Sequence, residues 1–105
     1  MNLITHTERR RGLRENVIEK ALAFEVRKRG GMAFKFNSMG CNGVPDRFVL
    51  LPGSRIAFVE VKAPGEVMRP LQKRRKRQIE VLGFPVYCLD SKEGIQVILD
   101  EVQAS

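Results

Sequence analysis

The chain has 105 residues, 43% hydrophobic and 30% charged, and its formal charge of +7 favours an anionic partner, of which nucleic acid is the commonest, over a merely solvated basic surface. Its length suits one domain with no room for a second, so residues 1–105 are read as a single unit in which residues 1–10 are flexible. No apolar run approaches the ~18–20 residues of a membrane span, no signal-peptide-like stretch opens the chain, and one histidine with two cysteines lacking C-x-x-C spacing leaves no basis for a His-ligated zinc site, a catalytic histidine or a disulfide framework. From about Leu13 to Arg29, Val17, Ile18, Ala21, Leu22 and Val26 recur at helical period, and Gly30-Gly31 ends the helix. Glu15 and Glu19 lie one turn apart at the border of that apolar stripe. A carboxylate there needs a partner, which an i,i+4 ion pair with a neighbouring Arg or Lys would also supply.

Met32–Phe36 reads as a short strand carrying Lys35, and 37–43 as a loop rich in Gly, Asn and Ser. Arg47–Leu51 and Ile56–Lys62 read as two strands of a hairpin around Pro52-Gly53-Ser54. Both are apolar on both faces, which predicts a sheet covered on each side. Pro70 opens a helix running to Leu82 and ending at Gly83, with Leu71, Ile79 and Leu82 as its anchors and a basic run through Lys73, Arg74 and Arg77. Pro85–Leu89 is a further strand, in which Cys88 reads as a core residue, whereas Cys41 in its Gly-rich loop reads as exposed. Ser91 caps a last helix, Lys92–Val102. The order predicts an α/β fold, an αβββαβ core with a mixed central sheet flanked by helices.

The chemistry concentrates in the hairpin. The start of one strand lies beside the end of the next, so Asp46, Glu60 and Lys62 converge at one end. If Asp46 opposes Glu60, Leu51 opposes Arg55 and the turn has an odd number of residues; an even turn sends the two carboxylates to opposite faces. Two carboxylates can hold Mg²⁺ or Mn²⁺, which prefers oxygen ligands and keeps several waters, and the Val61 backbone carbonyl can add a third oxygen. Lys62 shares the Glu60 face, because side chains repeat every two residues, and can neutralise charge developing on a phosphate or orient the attacking water. Lys35, Arg47, Arg69, Lys73 and Arg74 are the candidate phosphate contacts, giving affinity without base readout. Against this stand blander readings: Asp46 as a turn residue after Pro45, and Glu60 with Lys62 as a surface pair.

Gly43-Val44-Pro45-Asp46-Arg47, Val59-Glu60-Val61-Lys62 and Leu71-Gln72 together resemble the PD-(D/E)XK nuclease superfamily, with its restriction-endonuclease-like core, and more narrowly the VRR-NUC family. Gly30-Gly31, Lys35, Lys62-Ala63-Pro64-Gly65 and Gly83-Phe84-Pro85-Val86-Tyr87 extend the resemblance from Glu15 to Val97. It implies metal binding by Asp46 and Glu60, a catalytic Lys62, and a further helix-borne glutamate, Glu19 before Glu15. It also implies a Gln72 near the scissile phosphate. The Val-Arg-Arg tripeptide of the family's name is absent; Lys73-Arg74-Arg75 is the only basic run nearby, and no role is carried over from it.

Short stand-alone members of the family resemble Holliday junction resolvases. The resemblance therefore implies a metal-dependent DNA endonuclease acting on branched DNA such as four-way junctions or flaps, in the cytoplasm of a bacterial or phage-infected cell. It implies a homodimer, and neither a membrane partner nor an organic cofactor; exposed apolar residues beyond the core, such as Met68 or Phe36, are the candidates for the dimer interface. The alternative is a non-catalytic DNA-binding or architectural module on the same fold. That module predicts salt-dependent binding without metal-dependent cutting.

Overall fold

The elements follow one another as α1 (His6–Lys28), β1 (Met32–Lys35), β2 (Arg47–Leu51), β3 (Arg55–Val61), α2 (Pro70–Val81), β4 (Val86–Leu89) and α3 (Glu93–Ala104). These assignments come from a computed structural model that describes residues 5–35 and 37–105. The α/β fold expected from the sequence is present. The strands form one mixed sheet in the order β1-β2-β3-β4, antiparallel except for β3 and β4, which run parallel across the α2 connection.

α1 begins at His6, seven residues before the expected start at Leu13. Thr5 and Glu8 form a capping box: the Glu8 amide donates to Thr5 Oγ1 at 3.1 Å and the Thr5 amide to Glu8 Oε2 at 3.2 Å. Residues 6–10 are therefore helical, which corrects the expectation of a flexible segment over 1–10; residues 1–4 of that segment lie outside the described residues. At the other end Gly30 N–H reaches Arg27 O and Gly31 N–H reaches Val26 O, both at 3.0 Å, with Gly30 at φ 83°. This double closure needs a left-handed residue, hence the glycine.

The hairpin has the expected register. Arg47 pairs with Val59, Val49 with Ala57 and Leu51 with Arg55, which leaves the three-residue turn Pro52-Gly53-Ser54. On the face formed by Val49, Leu51, Ala57, Val59, Val61 and Leu89, the sheet packs against Ile18, Leu22 and Val26 of α1 and Ile95, Ile98, Leu99 and Val102 of α3. The two helices are tied by Arg29, which pairs with Asp100 at 2.9 Å and donates to Gln103 at 2.6 Å.

The opposite face is only half closed, which corrects the expectation of a sheet covered on both sides. α2 contacts β4, and Val86 is buried, but toward β1 the apolar side chains emerge: Met32 is 57% exposed, and Phe34 and Leu50 are exposed with it. Phe34 stacks on Phe48 with centroids 5.1 Å apart, and Phe58 meets Phe84 edge-on at 6.2 Å. α2 seats in part by polar contacts. Its buried residue is Gln72, whereas its expected anchors Leu71 and Leu82 are exposed, Leu82 at 74%. Met68 is buried, so it offers no surface to a partner, and Phe36 lies outside the described residues.

Candidate active site

The register that pairs Arg47 with Val59 places Asp46, one step outward, against Glu60. Strand pleating then puts Asp46, Glu60 and Lys62 on the half-open face and Arg47 on the core face. Pro45 is fully buried and anchors the turn into β2. Asp46 is half-buried.

Glu60 is 8% exposed. Its Oε1 accepts a hydrogen bond from Gln72 Nε2 at 2.9 Å, and its Oε2 is buried without a hydrogen-bond partner among the described residues. Burial, and after it the Asp46 charge, raises the Glu60 carboxyl above its ordinary value; Lys62, the Asp46 backbone amide and Arg69 pull it back. A desolvated carboxylate facing a second carboxylate with one oxygen unsatisfied is short of positive charge.

Gln72 is buried, and its Oε1 accepts from the Arg69 amide at 2.8 Å. It bridges the start of α2 to Glu60, so it orients the carboxylate and is not itself open to a phosphate. The loop before Asp46 is held to the same helix: Arg75 Nε donates to the Asn42 carbonyl at 2.8 Å. Gly43, at φ 83°, lies so close to α2 that a β-carbon there would sit 2.7 Å from Leu71 Cγ.

Arg47 corrects an expectation. It is 7% exposed, with Nη2 on Glu19 Oε2 at 2.5 Å and Nη1 on Asp46 Oδ2 at 2.9 Å. A guanidinium buried between two carboxylates is a brace, not a surface contact for DNA. Through it α1 reaches the hairpin, and the glutamate it brings there is Glu19; Glu15 sits one turn farther out. Lys35 is exposed and pairs across the ladder with Arg47, which puts it on the core side of β1, away from the Asp46–Glu60 face. Arg69, Lys73 and Arg74 are exposed, and Arg69 borders a cleft of about 400 Å³ with Asn42, Gly43, Pro70 and Leu71.

Cys88, expected in the core, lies at the surface. It pairs with Glu60 across the parallel β3–β4 ladder, shares the Glu60 face and is exposed. Its thiol is pushed up by burial and by Asp90 and Glu60, against Lys62 and Lys76. A four-residue apolar run cannot show which side faces out; only the pairing partner does. Cys41 is half-buried.

Among the described residues no three His, Cys, Asp or Glu side chains gather as a metal cluster. The pair Asp46 and Glu60 nevertheless fits Mg²⁺ or Mn²⁺, which needs one or two carboxylates with water and substrate oxygens completing the shell. The unsatisfied Glu60 Oε2 is the atom that fits that role. The Val61 side chain is buried in the core, so its carbonyl is what this residue has to offer.

No family model matches the sequence. In overall shape the chain is similar to a solved structure titled VRR_NUC domain, with a TM-score of 0.77, 26% identity, and coverage of 83% of this chain and 95% of that one. In sequence it is 53% identical over 81 residues to "Putative nuclease p44" of Acyrthosiphon pisum secondary endosymbiont phage 1, covering 77% of this chain and 87% of that protein. The chain belongs to the VRR-NUC family of nucleases. Among VRR-NUC proteins it lacks the eponymous tripeptide. The third residue of its nearby basic run, Arg75, braces the loop before Asp46 and bonds Gln78 at 2.8 Å.

Proposed function

We propose that this nuclease is a divalent-metal-dependent endonuclease that hydrolyses phosphodiester bonds in DNA. The observation that carries the reading is the Asp46–Glu60 pair, with Glu60 desolvated, one oxygen unsatisfied, and Lys62 on the same face. Asp46 and Glu60 would hold Mg²⁺ or Mn²⁺, with the Val61 carbonyl as a third donor; the bound ion supplies positive charge for activating water and stabilising the phosphate. Gln72 fixes the Glu60 carboxylate. Lys62 orients the attacking water or offsets charge on the phosphate oxygens as the bond breaks. Glu19, held by Arg47, keeps Asp46 in register, and it is the helix-borne acidic residue expected of the family. Arg69, Lys73 and Arg74 grip phosphates beside the scissile one. A DNA-binding module without catalysis has no use for a desolvated Glu60 carboxylate set against Asp46.

The finer reading is a homodimer cutting branched DNA, such as four-way junctions or flaps, in the cytoplasm of a bacterial or phage-infected cell. A chain of this size presents one site, and symmetric cutting of a junction needs two. The open apolar half of the sheet, with Met32, Phe34 and Leu50, is the surface assigned to the second copy, since it is uncharged in a strongly basic chain. A panel of junctions, flaps and linear duplexes, assayed with Mg²⁺, Mn²⁺ or EDTA alongside solution mass, tests both parts. Preferential nicking of branched substrates by a dimer supports the reading. Equal cutting of all substrates by a monomer removes its finer part, and no cutting with either metal removes the whole.

A further inference from the structure

The sheet ends on two strands, and they are guarded differently. β4 packs against both α2 and α3, whereas the helix packed on β1 is α1, on the core face. Soluble proteins blunt a bare edge with proline, a bulge or charges along it. Met32-Ala33-Phe34-Lys35 has no proline, its ladder with β2 runs unbroken, and its one charge stands at the end.

The face beside this edge is ordered in rows across the strands. Met32, Leu50 and Ile56 form one row and Phe34, Phe48 and Phe58 the next. Asp46, one step beyond Arg47, follows with Glu60 and Cys88. The two apolar rows run out to the edge, where Met32 is 57% and Phe34 37% exposed. Neither row carries a charge, so two copies of a chain of formal charge +7 can meet here without setting like charges together.

We propose that two copies of this chain pair antiparallel through β1, with Ala33 on the dyad, into one eight-stranded sheet that carries both Asp46–Glu60–Lys62 sites on the same face. This pairing rests on the homodimer reading above and specifies its interface. A dyad perpendicular to the sheet keeps each face on its own side, so opposed residues share parity and the dyad passes through a residue. Placed at Ala33, it sets Met32 opposite Phe34 of the second copy and Phe34 opposite its Met32, which carries both apolar rows across the junction. Lys35, on the core side and away from the site, then falls opposite Gly31 of the second copy. That is the C-terminal end of its α1, where the helix dipole favours a cation. The occupant is a second copy rather than a foreign strand because the same two apolar side chains supply both halves of the contact.

The pairing fixes a distance. With strands about 4.8 Å apart and about 3.3 Å per residue, the midpoint of Asp46 and Glu60 lies about 10 Å across the strands and about 10 Å along them from the dyad. With sheet twist, the two sites are roughly 25 Å apart, and Cys88, out on β4, is roughly 35–40 Å from its copy. Each dimer therefore meets two phosphates on one side of the DNA at a set separation.

The test reads mass and distance together. Sedimentation of the wild type, Met32→Glu and Val97→Glu is followed over a concentration series, and spin labels on Cys88 of the Cys41→Ser protein give the distance between copies. Met32 and Val97 are both exposed, so each variant keeps its core, which thermal melts check. The wild type is expected at twice the mass of the chain. Met32→Glu should raise the dimer dissociation constant at least about tenfold, because a carboxylate is then buried against Phe34, and Val97→Glu should leave it unchanged. The labels should give one distance of roughly 35–40 Å. A dimer with labels outside about 30–45 Å, or one that folded Met32→Glu leaves intact, overturns the β1 pairing while the homodimer stands. A monomer at every concentration overturns both, and metal-dependent cutting by that monomer still keeps the nuclease reading.

Discussion

Gln72 Nε2 donates to Glu60 Oε1 at 2.9 Å while its own Oε1 accepts the Arg69 amide at 2.8 Å, so one buried amide couples the first turn of α2 to a carboxylate of the site. Gln72 is thereby both a helix-capping residue and the brace of the carboxylate proposed as a metal ligand. Replacing Gln72 with Leu removes the hydrogen bond to Glu60 Oε1 and is expected to lower metal affinity or cleavage about 10- to 100-fold, as loss of a ligand's outer partner does. The check is a Mg²⁺ titration of cleavage, with DNA affinity measured separately in EDTA. The half-saturating metal concentration rises and DNA affinity stays, whereas a variant that loses DNA affinity instead places Gln72 at the phosphate.

The raised Glu60 carboxyl makes the metal-free protein sensitive to pH in a definite direction. Because its folded value lies above its ordinary 4.5, the folded state holds this proton more tightly than the unfolded one. Its stabilising contribution is complete below pH 4.5 and is lost as pH rises through the raised value. Glu60→Gln is therefore expected to be the more stable protein near neutral pH in EDTA, with the difference shrinking toward acid. Thermal melts of both proteins across pH measure it. Added Mg²⁺ should raise the melting temperature of the wild type and not of the variant, because only the wild type gains a ligand.

Arg47 should act on stability rather than on DNA affinity. Removing a buried guanidinium leaves Glu19 and Asp46 without their shared counter-charge; both keep contact with solvent, so the loss should fall below the about 3–5 kcal/mol typical of a fully buried pair. Urea denaturation of Arg47→Met reads the loss, which should be smaller in the Arg47→Met/Glu19→Leu double variant because one stranded charge is gone. An Arg47→Met protein as stable as the wild type and with a reduced salt slope would instead make Arg47 a phosphate contact.

Cys88 gives a probe of the site's location. With Cys41 changed to Ser, a bulky maleimide on Cys88 should block cleavage, since the exposed thiol sits beside Glu60 in the ladder. Cys88→Ser should cut normally, because no step uses the thiol. Full activity after complete labelling would move the reacting phosphate away from β4.

The hairpin and its carboxylate pairing were legible in the sequence because strand side chains have a period of two, so turn parity alone decides whether Asp46 and Glu60 share a face. Burial was less legible. Arg47 reads as one more cation of a basic chain until the register turns it inward to Glu19, and Cys88 reads as apolar filling until β4 pairs with β3. The apolar alternation of β2 and β3 does not reveal how far a single short helix extends, and α2 stops before Phe34 and Leu50. The early start of α1 had a signal, Thr5-x-x-Glu8, but apolar periodicity begins only at Val17 and drew the boundary too late. Gly43 shows the opposite case: its place in a Gly-rich loop says little, whereas its approach to Leu71 says why the loop is fixed.

Whether Asp46, Glu60 and Lys62 form one metal-dependent cleavage site is decided by cleavage and binding of a branched DNA by the wild type and by Asp46→Asn/Lys62→Ala. The wild type is expected to cut with Mg²⁺ or Mn²⁺ and not with EDTA, and the double variant to bind the DNA without detectable cutting. Undiminished cutting by the double variant, or cutting that persists in EDTA, contradicts that assignment.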